Sequence, residues 1–216
     1  MESLLQGNES QSINIISNLL FSTISKERIL LEIILPSLNI LNDMYNRGKI
    51  SETEKLLIST TILDLVLMTK FVSAIDIPKL NAYSVIVSGS EEATYQARIA
   101  SVMLHLMGWH TLYLPDIESK IDPFFDIDIH RLIAKKLKNQ KGLSAVMIFS
   151  FNANTLKFLT NTMKVLRDKI ENDIKIVIFT NNDLLQVSQD IEVDYNTADL
   201  TSVIDWAKEQ YLNFIP

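Results

Sequence analysis

Two short runs in the second half of the chain, Ala145–Phe149 and Lys175–Phe179, are almost wholly apolar and constrain the fold more than any other feature. A strand that is apolar on both faces has to be covered on both faces, which is typical of a parallel sheet between two layers of helices. Similar patterns predict strands at Tyr83–Val87, Thr111–Leu114 and Ile191–Asp194. The second half of the chain therefore predicts a sheet of five parallel strands.

Amphipathic segments alternate with these strands. Their apolar side chains recur at three- and four-residue spacing, as helices that bury one face require. The predicted helices are Glu92–Met107, Ile129–Asn139, Asn154–Ile170, Asp183–Ser188 and Leu200–Leu212. Alternation of strand and helix implies right-handed crossovers and a flavodoxin-like, doubly wound sheet, in which ligands bind at the carboxyl ends of the strands.

The first 77 residues carry helical patterns and almost no strand patterns. Three segments, Ser10–Ile24, Glu27–Tyr45 and Glu52–Ile75, place apolar residues at helical spacing. We therefore predict two domains: a small antiparallel helical bundle over residues 1–77 and a Rossmann-like α/β domain over residues 78–216.

Several of the first 77 residues are of types that begin, end or interrupt helices. Ser25 and Ser51 are predicted N-caps, and Glu54 completes a capping box with Ser51. Gly48 suits the left-handed conformation that closes a helix. Pro36 lies inside the second predicted helix, where it predicts a kink or a break because proline cannot donate a backbone hydrogen bond.

Composition excludes several classes of function. With 20 basic and 26 acidic residues the net charge is −6, which disfavours direct binding of nucleic acid through its phosphates. The chain has no cysteine, so it has neither disulfides nor thiolate metal sites nor a cysteine nucleophile. No basic segment precedes an apolar run at the start, and no apolar run reaches the roughly 20 residues that a membrane span needs. We expect a cytoplasmic protein without membrane contact.

Residues in the predicted bundle carry a resemblance to a known superfamily. Three groups of residues have the spacing of a Leu-x-Pro run, a small residue followed by Trp-x-x-Gly, and an acidic residue followed by histidine. They are, in this order, Leu35-Pro36, then Asn42, Tyr45 and Gly48, then Lys55-Leu56. This order resembles the bundle of cobalamin-binding modules in corrinoid methyltransferase proteins and light-sensing MerR-type regulators. The spacing between these positions is kept, whereas the tryptophan, the acidic residue and the histidine of the pattern are replaced by other residues.

The resemblance continues through the stretch from Ala82 to Pro115, which has the strand, helix, glycine and Leu-Tyr-Leu order of the corrinoid domain. In that superfamily an Asp/Glu-x-His-x-x-Gly motif follows the first strand, and its histidine binds cobalt. Alignment without a gap puts Glu91 at the acidic position, Ala93 at the histidine and Gln96 at the glycine. Because alanine cannot coordinate a metal, the resemblance implies the scaffold without its cobalt ligand.

Two further positions of the superfamily's pattern are changed. Relatives have Ser-x-Leu after the third strand and Gly-Gly after the fourth, which make room for the buried corrinoid tail. This chain has Phe149 or Ser150 at the first and Thr180-Asn181 at the second. Side chains there fill space that glycine leaves open. We therefore predict that cobalamin is not bound. The residues expected around the cleft between the two lobes are Met44, Tyr45, Ser88, Glu91, Ala93, Tyr95, Gln96, Ser150, Phe151, Thr180 and Asn181.

Other candidate sites favour structural interpretations. The chain has three histidines, His105, His110 and His130, which are expected at the surface or at strand ends. His105 and His110 are five residues apart across Gly108, so they do not share a helical face. The loop from Ser88 to Glu92 has one glycine, so it is not a nucleotide-binding loop and is expected to cap the next helix. No serine has an evident histidine and acid partner, and no metal site is predicted.

An acidic segment surrounds Pro123-Phe124-Phe125. It lacks the spacing of a calcium loop and predicts a solvated loop, with the two aromatic residues either packed over the sheet end or exposed as a contact patch. Its acidic residues are Asp116, Glu118, Asp122, Asp126 and Asp128.

These observations favour a non-enzymatic sensor or regulatory module that acts through protein contacts. A transcription regulator or a second copy of the chain is the expected partner, and a small molecule other than cobalamin is a possible ligand of the cleft. Two alternatives stay open. One is a corrinoid carrier in methyl transfer whose cobalt has no protein histidine ligand; the other is a sensor of heme, held by His105 or His110, or of another small molecule.

Overall fold

Two units, Met1–Ile77 and Pro78–Pro216, make up the structure, which is a computed structural model. It describes residues 2–6, 8–73, 77–90, 92–118, 123–138, 140–169, 173–189 and 193–214. No helix in these ranges combines the length and the apolar character that crossing a membrane requires.

The first unit is entirely helical in its described part. Its core is formed by apolar residues of the longer helices, including Leu20, Leu38 and Ile62, all buried. The elements are α1 (Glu2–Leu5), α2 (Glu9–Leu20), α3 (Lys26–Arg28), a π-helical segment (Ile29–Ile34), α4 (Leu35–Asn46) and α5 (Glu52–Ser73).

The predicted caps of this unit are confirmed, whereas α2 ends at Leu20 and not at the predicted Ile24. Ser25 caps α3 by accepting a hydrogen bond from a backbone N–H. Ser51 and Glu54 form the reciprocal capping box, since the Glu54 N–H bonds the Ser51 hydroxyl oxygen at 3.2 Å and the Ser51 N–H bonds the Glu54 carboxylate at 2.8 Å. Gly48, with φ of +65°, closes α4.

Pro36 does not break its helix, so that half of the prediction is wrong. The chain stays helical from Lys26 to Asn46, and its turns widen into the π-helical segment just before the proline. There the Leu35 N–H bonds the Leu30 carbonyl, five residues back. A wider turn relieves the clash that a proline ring makes with the carbonyl four residues earlier, so the helix continues past Pro36.

The second unit is built on a sheet of five parallel strands: β1 (Ala82–Ser88), β2 (His110–Leu114), β3 (Leu143–Phe149), β4 (Ile174–Phe179) and β5 (Tyr195–Thr197). The strand order is β2-β1-β3-β4-β5. This is the flavodoxin-like order, which confirms the predicted fold class.

Helices cover both faces of the sheet: α6 (Thr94–Leu106), α7 (Pro123–Leu137), α8 (Ala153–Lys169), α9 (Asn182–Gln189) and α10 (Leu200–Phe214). On one face, residues of α7 and α8 form a core with alternate strand residues such as Val85 and Val146. The intervening residues, such as Ile86 and Met147, are also fully buried and point to the opposite face. On that face α6 and α10 contact each other and β3.

Two predicted boundaries are wrong. β5 lies at Tyr195–Thr197 and not at Ile191–Asp194, of which residues 191 and 192 lie outside the described residues. α7 begins at Pro123, so the acidic segment is helical from there and is not a loop. Proline suits the first position of a helix and acidic residues suit its first turns, which outweighs their frequency in loops. Asp122 and the side chains of Phe124, Phe125 and Asp126 lie outside the described part.

Candidate functional site at the carboxyl ends of the strands

The predicted ligand-binding edge is where β1, β3 and β4 end side by side. Ser88 pairs with Phe149, and Phe149 pairs with Phe179, so the three strands finish in register. The chain adds β2 on one side of β1 and then β3 on the other side, so the order of winding reverses between β1 and β3. Ligands of doubly wound sheets bind at such a point. The last residue of β1 and the loops after β3 and β4 therefore contain five of the predicted residues: Ser88, Ser150, Phe151, Thr180 and Asn181.

The loops after β1 and β3 are hydrogen-bonded to each other across this reversal point. The Gly89 N–H donates to the Phe149 carbonyl at 2.6 Å. The Phe151 N–H donates to the Ser90 hydroxyl at 3.1 Å, and Ser90 is buried. A crevice between these loops is thus bridged by the protein's own groups.

The loops after β3 and β4 are joined in the same way. The Ser150 N–H donates to the Phe179 carbonyl at 3.1 Å, and the Thr180 hydroxyl donates to the Ser150 carbonyl at 2.7 Å. The Ser150 hydroxyl accepts from the Asn152 N–H at 3.2 Å. Ser150 and Thr180 are both 0% exposed. Side chains at these two positions therefore fix the loops from inside.

The turn from β1 to α6 is fixed by hydroxyl groups and not by a helix cap. The Ser88 hydroxyl donates to the Ser90 carbonyl at 2.9 Å and shares a hydrogen bond of 2.9 Å with the Thr94 hydroxyl. α6 begins at Thr94 after Ala93, and no described side chain caps it. The expected Ser/Glu cap is therefore wrong for the described residues. Glu91 lies outside them.

Space at this edge is tight. A Cβ added to Gly89 would lie 2.8 Å from the Leu159 side chain, 3.0 Å from the Ser150 Cβ and 3.1 Å from the Thr155 side chain. Ala93 is 0% exposed. No cluster of three or more potential metal ligands occurs within the described ranges. Ala93 thus has no group that could coordinate a metal, and the space beside Gly89 is filled by the Leu159, Ser150 and Thr155 side chains.

Gln96, at the position of the superfamily's glycine, is 8% exposed. Its side-chain oxygen has no hydrogen-bond partner in the described part of the chain. Tyr95 beside it is half-buried. Burying an amide oxygen without a donor costs roughly 1–3 kcal/mol.

The sequence did not anticipate the contacts of three residues near this edge: Asn152, Tyr113 and Arg98. Asn152 caps α8 by accepting hydrogen bonds from the N–H groups of Asn154 and Thr155, and its amide donates to Glu118. An asparagine between a strand and a helix is a readable cap signal.

Tyr113 donates its hydroxyl hydrogen to the Thr94 carbonyl, with the Arg98 guanidinium 4.1 Å from its ring centre. Burial raises the pKa of Tyr113, partly offset by the Arg98 charge.

Met44 and Tyr45, the predicted residues of the first unit, lie in the last turn of α4. Their carbonyls accept the hydrogen bonds from Lys49 and Gly48 that end the helix. The Lys55 ammonium lies 4.3 Å from the centre of the Tyr45 ring, a cation–π contact. Two of the residues that carry the predicted resemblance thus contact each other.

The three histidines are dispersed over the second unit. His110 begins β2 and stacks on Tyr83 with ring centres 4.9 Å apart, at the amino end of the sheet. The His105 Nδ1 lies 3.4 Å from the Lys79 ammonium, and the His130 Nε2 lies 2.7 Å from the Thr162 carbonyl. None of them lies in the loops that follow β1, β3 or β4.

No protein-family model and no curated protein sequence matches this chain. Among solved structures, the monomethylamine corrinoid protein of Methanosarcina barkeri is similar over 97% of this chain and 95% of that chain, with 11% identity and a TM-score of 0.70. A cobalamin-binding protein from Desulfitobacterium hafniense has 12% identity over 96% of this chain and 95% of that chain (TM-score 0.46). A methanol:cobalamin methyltransferase complex from Methanosarcina barkeri has 10% identity over 98% of this chain and 77% of that chain (TM-score 0.42). The first likeness shows a common fold.

Proposed function

We propose that this chain, which has the fold of a corrinoid protein, is a sensor or regulatory module that acts through protein contacts and does not bind cobalamin. The observation that carries the proposal is the carboxyl edge of the sheet. There the hydroxyls of Ser88, Ser150 and Thr180 are fully buried and bonded within the loops. The expected partner is a transcription regulator or a second copy of the chain.

The cost of opening this edge supports the absence of cobalamin. A ligand entering between β1 and β3 would break the bond from Gly89 to Phe149 and the bond from Phe151 to Ser90. Each hydrogen bond contributes about 1 kcal/mol net, and a buried donor or acceptor left without a partner costs more. Cobalamin would have to offset that cost without the bond that a histidine at position 93 would make to cobalt.

A non-enzymatic role is consistent with the chemistry of the same edge. Histidine is the base that most often activates a hydroxyl nucleophile, and no histidine lies in the loops after β1, β3 or β4. The described hydroxyls of Ser88, Ser150 and Thr180 already bond backbone or hydroxyl groups of the loops. They hold the loops in place and have no evident catalytic task.

The deciding experiment is reconstitution with hydroxocobalamin and with methylcobalamin, followed by gel filtration, a visible spectrum and cobalt analysis. We expect no retained red colour and no stoichiometric cobalt. The triple variant Ala93→His/Ser150→Gly/Thr180→Gly is the matched comparison, because it restores a cobalt ligand and removes two side chains that fill the edge. Stoichiometric cobalt in the unmodified protein would overturn the proposal in favour of a corrinoid carrier.

A corrinoid carrier in methyl transfer is the second candidate, favoured by the shared fold over 97% of the chain. It requires cobalt without a protein imidazole, so its spectrum after reconstitution should be that of a corrinoid without a histidine ligand. The heme alternative is tested in parallel with added hemin. A Soret band that weakens in His105→Ala or His110→Ala would support it, and the absence of a band would remove it.

A further inference from the structure

The longest helix of the first unit, α5, exposes apolar side chains along one row. Leu57 is 58% exposed and Phe71 is 69% exposed, and the half-buried Leu67 lies between them in the row. With a rise of about 1.5 Å per residue, the row is roughly 27 Å long. We name it the α5 stripe. Its residues recur at spacings of four and three and therefore lie on one side of the helix: Thr53, Leu57, Thr60, Asp64, Leu67 and Phe71.

The opposite side of α5 is packed inside the bundle. Ile58, Ile62 and Leu65 are 4%, 0% and 0% exposed, and the helix contacts α1, α2 and α4. A helix at the surface of a bundle normally has a polar outer side. α5 instead carries apolar residues on both sides, and exposed apolar residues that are contiguous mark an interaction surface.

The other exposed apolar residues in the described part of the chain form no such row. Leu56, which is 60% exposed, lies beside the α5 stripe and widens it. The remaining residues stand singly on their helices or at spacings that put them on different sides of the helix. They are Ile15, Phe21, Ile40, Val165, Leu212 and Phe214.

We infer that the α5 stripe binds the same stripe of a second copy of the chain, with the two helices antiparallel. Alternating spacings of four and three are those by which two helices pack side by side. In a two-fold pair, residues at equal distances from the midpoint of the row face each other. The large Phe71 then faces the small Thr53 of the second copy, and Leu57 faces Leu67, so the apolar residues of each copy are covered by the other.

The one charged residue of the stripe favours the antiparallel orientation. Asp64 lies as far from the midpoint of the row as Thr60 does on the other side. In an antiparallel pair, Asp64 therefore faces Thr60 of the second copy. In a parallel pair it would face Asp64 of the second copy, and like charges placed opposite each other repel.

Charges beside the stripe are complementary in the same orientation. Glu52 lies in the first turn of α5 and Lys70 in its last turn, a whole number of helical turns apart, so they lie on the same flank of the stripe. Antiparallel copies bring the first turn of one helix beside the last turn of the other. Glu52 then lies near Lys70 of the second copy, and the aliphatic stem of that lysine covers the exposed Leu56.

This complementarity makes a second copy the partner that the stripe fits. A second copy provides an apolar row of equal length, an acidic end and a basic end, and each meets its counterpart in the antiparallel pair. The inference rests on the proposed function, because it names the partner through which the module acts.

Sedimentation velocity of the full chain over a range of concentrations tests the inference. We expect a reversible dimer. Leu57→Glu/Phe71→Glu should raise its dissociation constant at least roughly tenfold, because it buries charges in the interface. The matched control, Leu212→Glu/Phe214→Glu, changes the same residue types at exposed positions of α10 and should dimerise as the unmodified protein does. Asp64→Leu should lower the dissociation constant, and circular dichroism checks that each variant is folded.

Cross-linking through single cysteines tests the orientation, since the chain has no cysteine of its own. In an antiparallel pair the two copies of Thr60 are roughly 6 Å apart along the helix axis, and the two copies of Thr53 are roughly 27 Å apart. Both threonines are exposed. A short bismaleimide should therefore join two Thr60→Cys chains and not two Thr53→Cys chains.

Several results would overturn the inference. These are a chain that stays monomeric at every concentration, a dimer that Leu57→Glu/Phe71→Glu leaves unchanged, an equal loss in the α10 control, and equal cross-linking of Thr53→Cys and Thr60→Cys. Binding of the monomeric chain to phosphatidylcholine vesicles that is lost in Leu57→Glu/Phe71→Glu would assign the stripe to a lipid surface instead. Retention of cobalamin contradicts only the proposed function, and a monomeric chain contradicts only this inference, so the two failures are distinguishable.

Discussion

Thr180 fixes the carboxyl edge through a single hydroxyl group. Its bond to the Ser150 carbonyl is 2.7 Å long, and both residues are 0% exposed. Replacing Thr180 by valine keeps the shape and leaves a buried carbonyl without this donor, so we expect a loss of about 1–3 kcal/mol in the free energy of unfolding. Urea denaturation measures it. Thr180→Ser keeps the hydroxyl and should retain most of the stability; equal losses in both variants would contradict the assigned role.

Gly108 combines a left-handed conformation with a close backbone approach. Its φ is +90°, and an added Cβ would lie 2.4 Å from the Pro78 carbonyl oxygen. Gly48 has φ of +65° but open space around it, so Gly48→Ala isolates the conformational cost of about 1–2 kcal/mol. We expect Gly108→Ala to lose distinctly more stability in denaturant titrations. Similar losses at the two positions would show that the contact with Pro78 relaxes freely.

At the scale of residues, the sequence predicts hydrogen bonds between residues that are close along the chain. Ser51, Glu54 and Gly48 were predictable because a cap bonds groups only a few positions away. Ser90 was not, because its hydroxyl accepts from Phe151, which is 61 positions away. A serine before a helix favours a cap, and only the strand order brings the second loop beside it.

The amino end of α10 carries an acidic cap. The Asp199 carboxylate accepts the Ser202 hydroxyl at 2.7 Å and the backbone N–H groups of Ser202 and Thr201. The Ser202 hydroxyl, followed by these N–H groups, holds the pKa of Asp199 below its ordinary value of 3.8. Asp199→Ala should therefore lose about 0.5–2 kcal/mol at neutral pH, with Asp199→Asn less affected.

The pH dependence of this cap follows from the direction of the shift. A lowered pKa means that the stabilisation is fully present above 3.8, the ordinary value, and is lost as pH falls through the lower pKa of the folded protein. Thermal unfolding of the unmodified protein and of Asp199→Ala between neutral and acidic pH should show their difference shrinking at low pH. A difference that stays constant would mean that the charge of Asp199 makes no contribution.

At the scale of elements, the strands and long helices were predictable, whereas the bounds of β5 and the start of α7 were not. The buried strands were recognisable since apolar runs fit only a sheet covered on both faces. α7 was predicted too short because its acidic start has the composition of a loop. The π-helical segment before Pro36 was not anticipated, since a kink and a widened turn relieve the same clash.

At the scale of the molecule, each unit has its own buried core. In the second unit the core on the side of α7 and α8 is formed by residues from Val85 to Ile178, all after Pro78. We expect a polypeptide of residues 78–216 to fold alone, with cooperative thermal unfolding and the far-ultraviolet dichroism of an α/β protein. A non-cooperative transition would show that the sheet depends on the first 77 residues.

The position of the candidate site was predictable at this scale, and its content was not. Alternating strands and helices predict a doubly wound parallel sheet, and in such a sheet the loops after β1, β3 and β4 lie at one edge. Whether that edge is open depends on hydroxyls such as Ser150 and Thr180 bonding to backbone across the loops. Such bonds depend on distances of tenths of an ångström, which residue spacing does not determine.

The backbone hydrogen bonds just beyond the strand ends affect how fast these amide hydrogens exchange with solvent. The N–H groups of Gly89, Ser150 and Thr180 each lie just after a strand and still donate to the carbonyl of the neighbouring strand's end. Loop amides ordinarily exchange in local openings of low energy, but these three should exchange as slowly as the amides inside β1, β3 and β4. The carboxyl edge would then open only with the sheet itself, as a rigid rim.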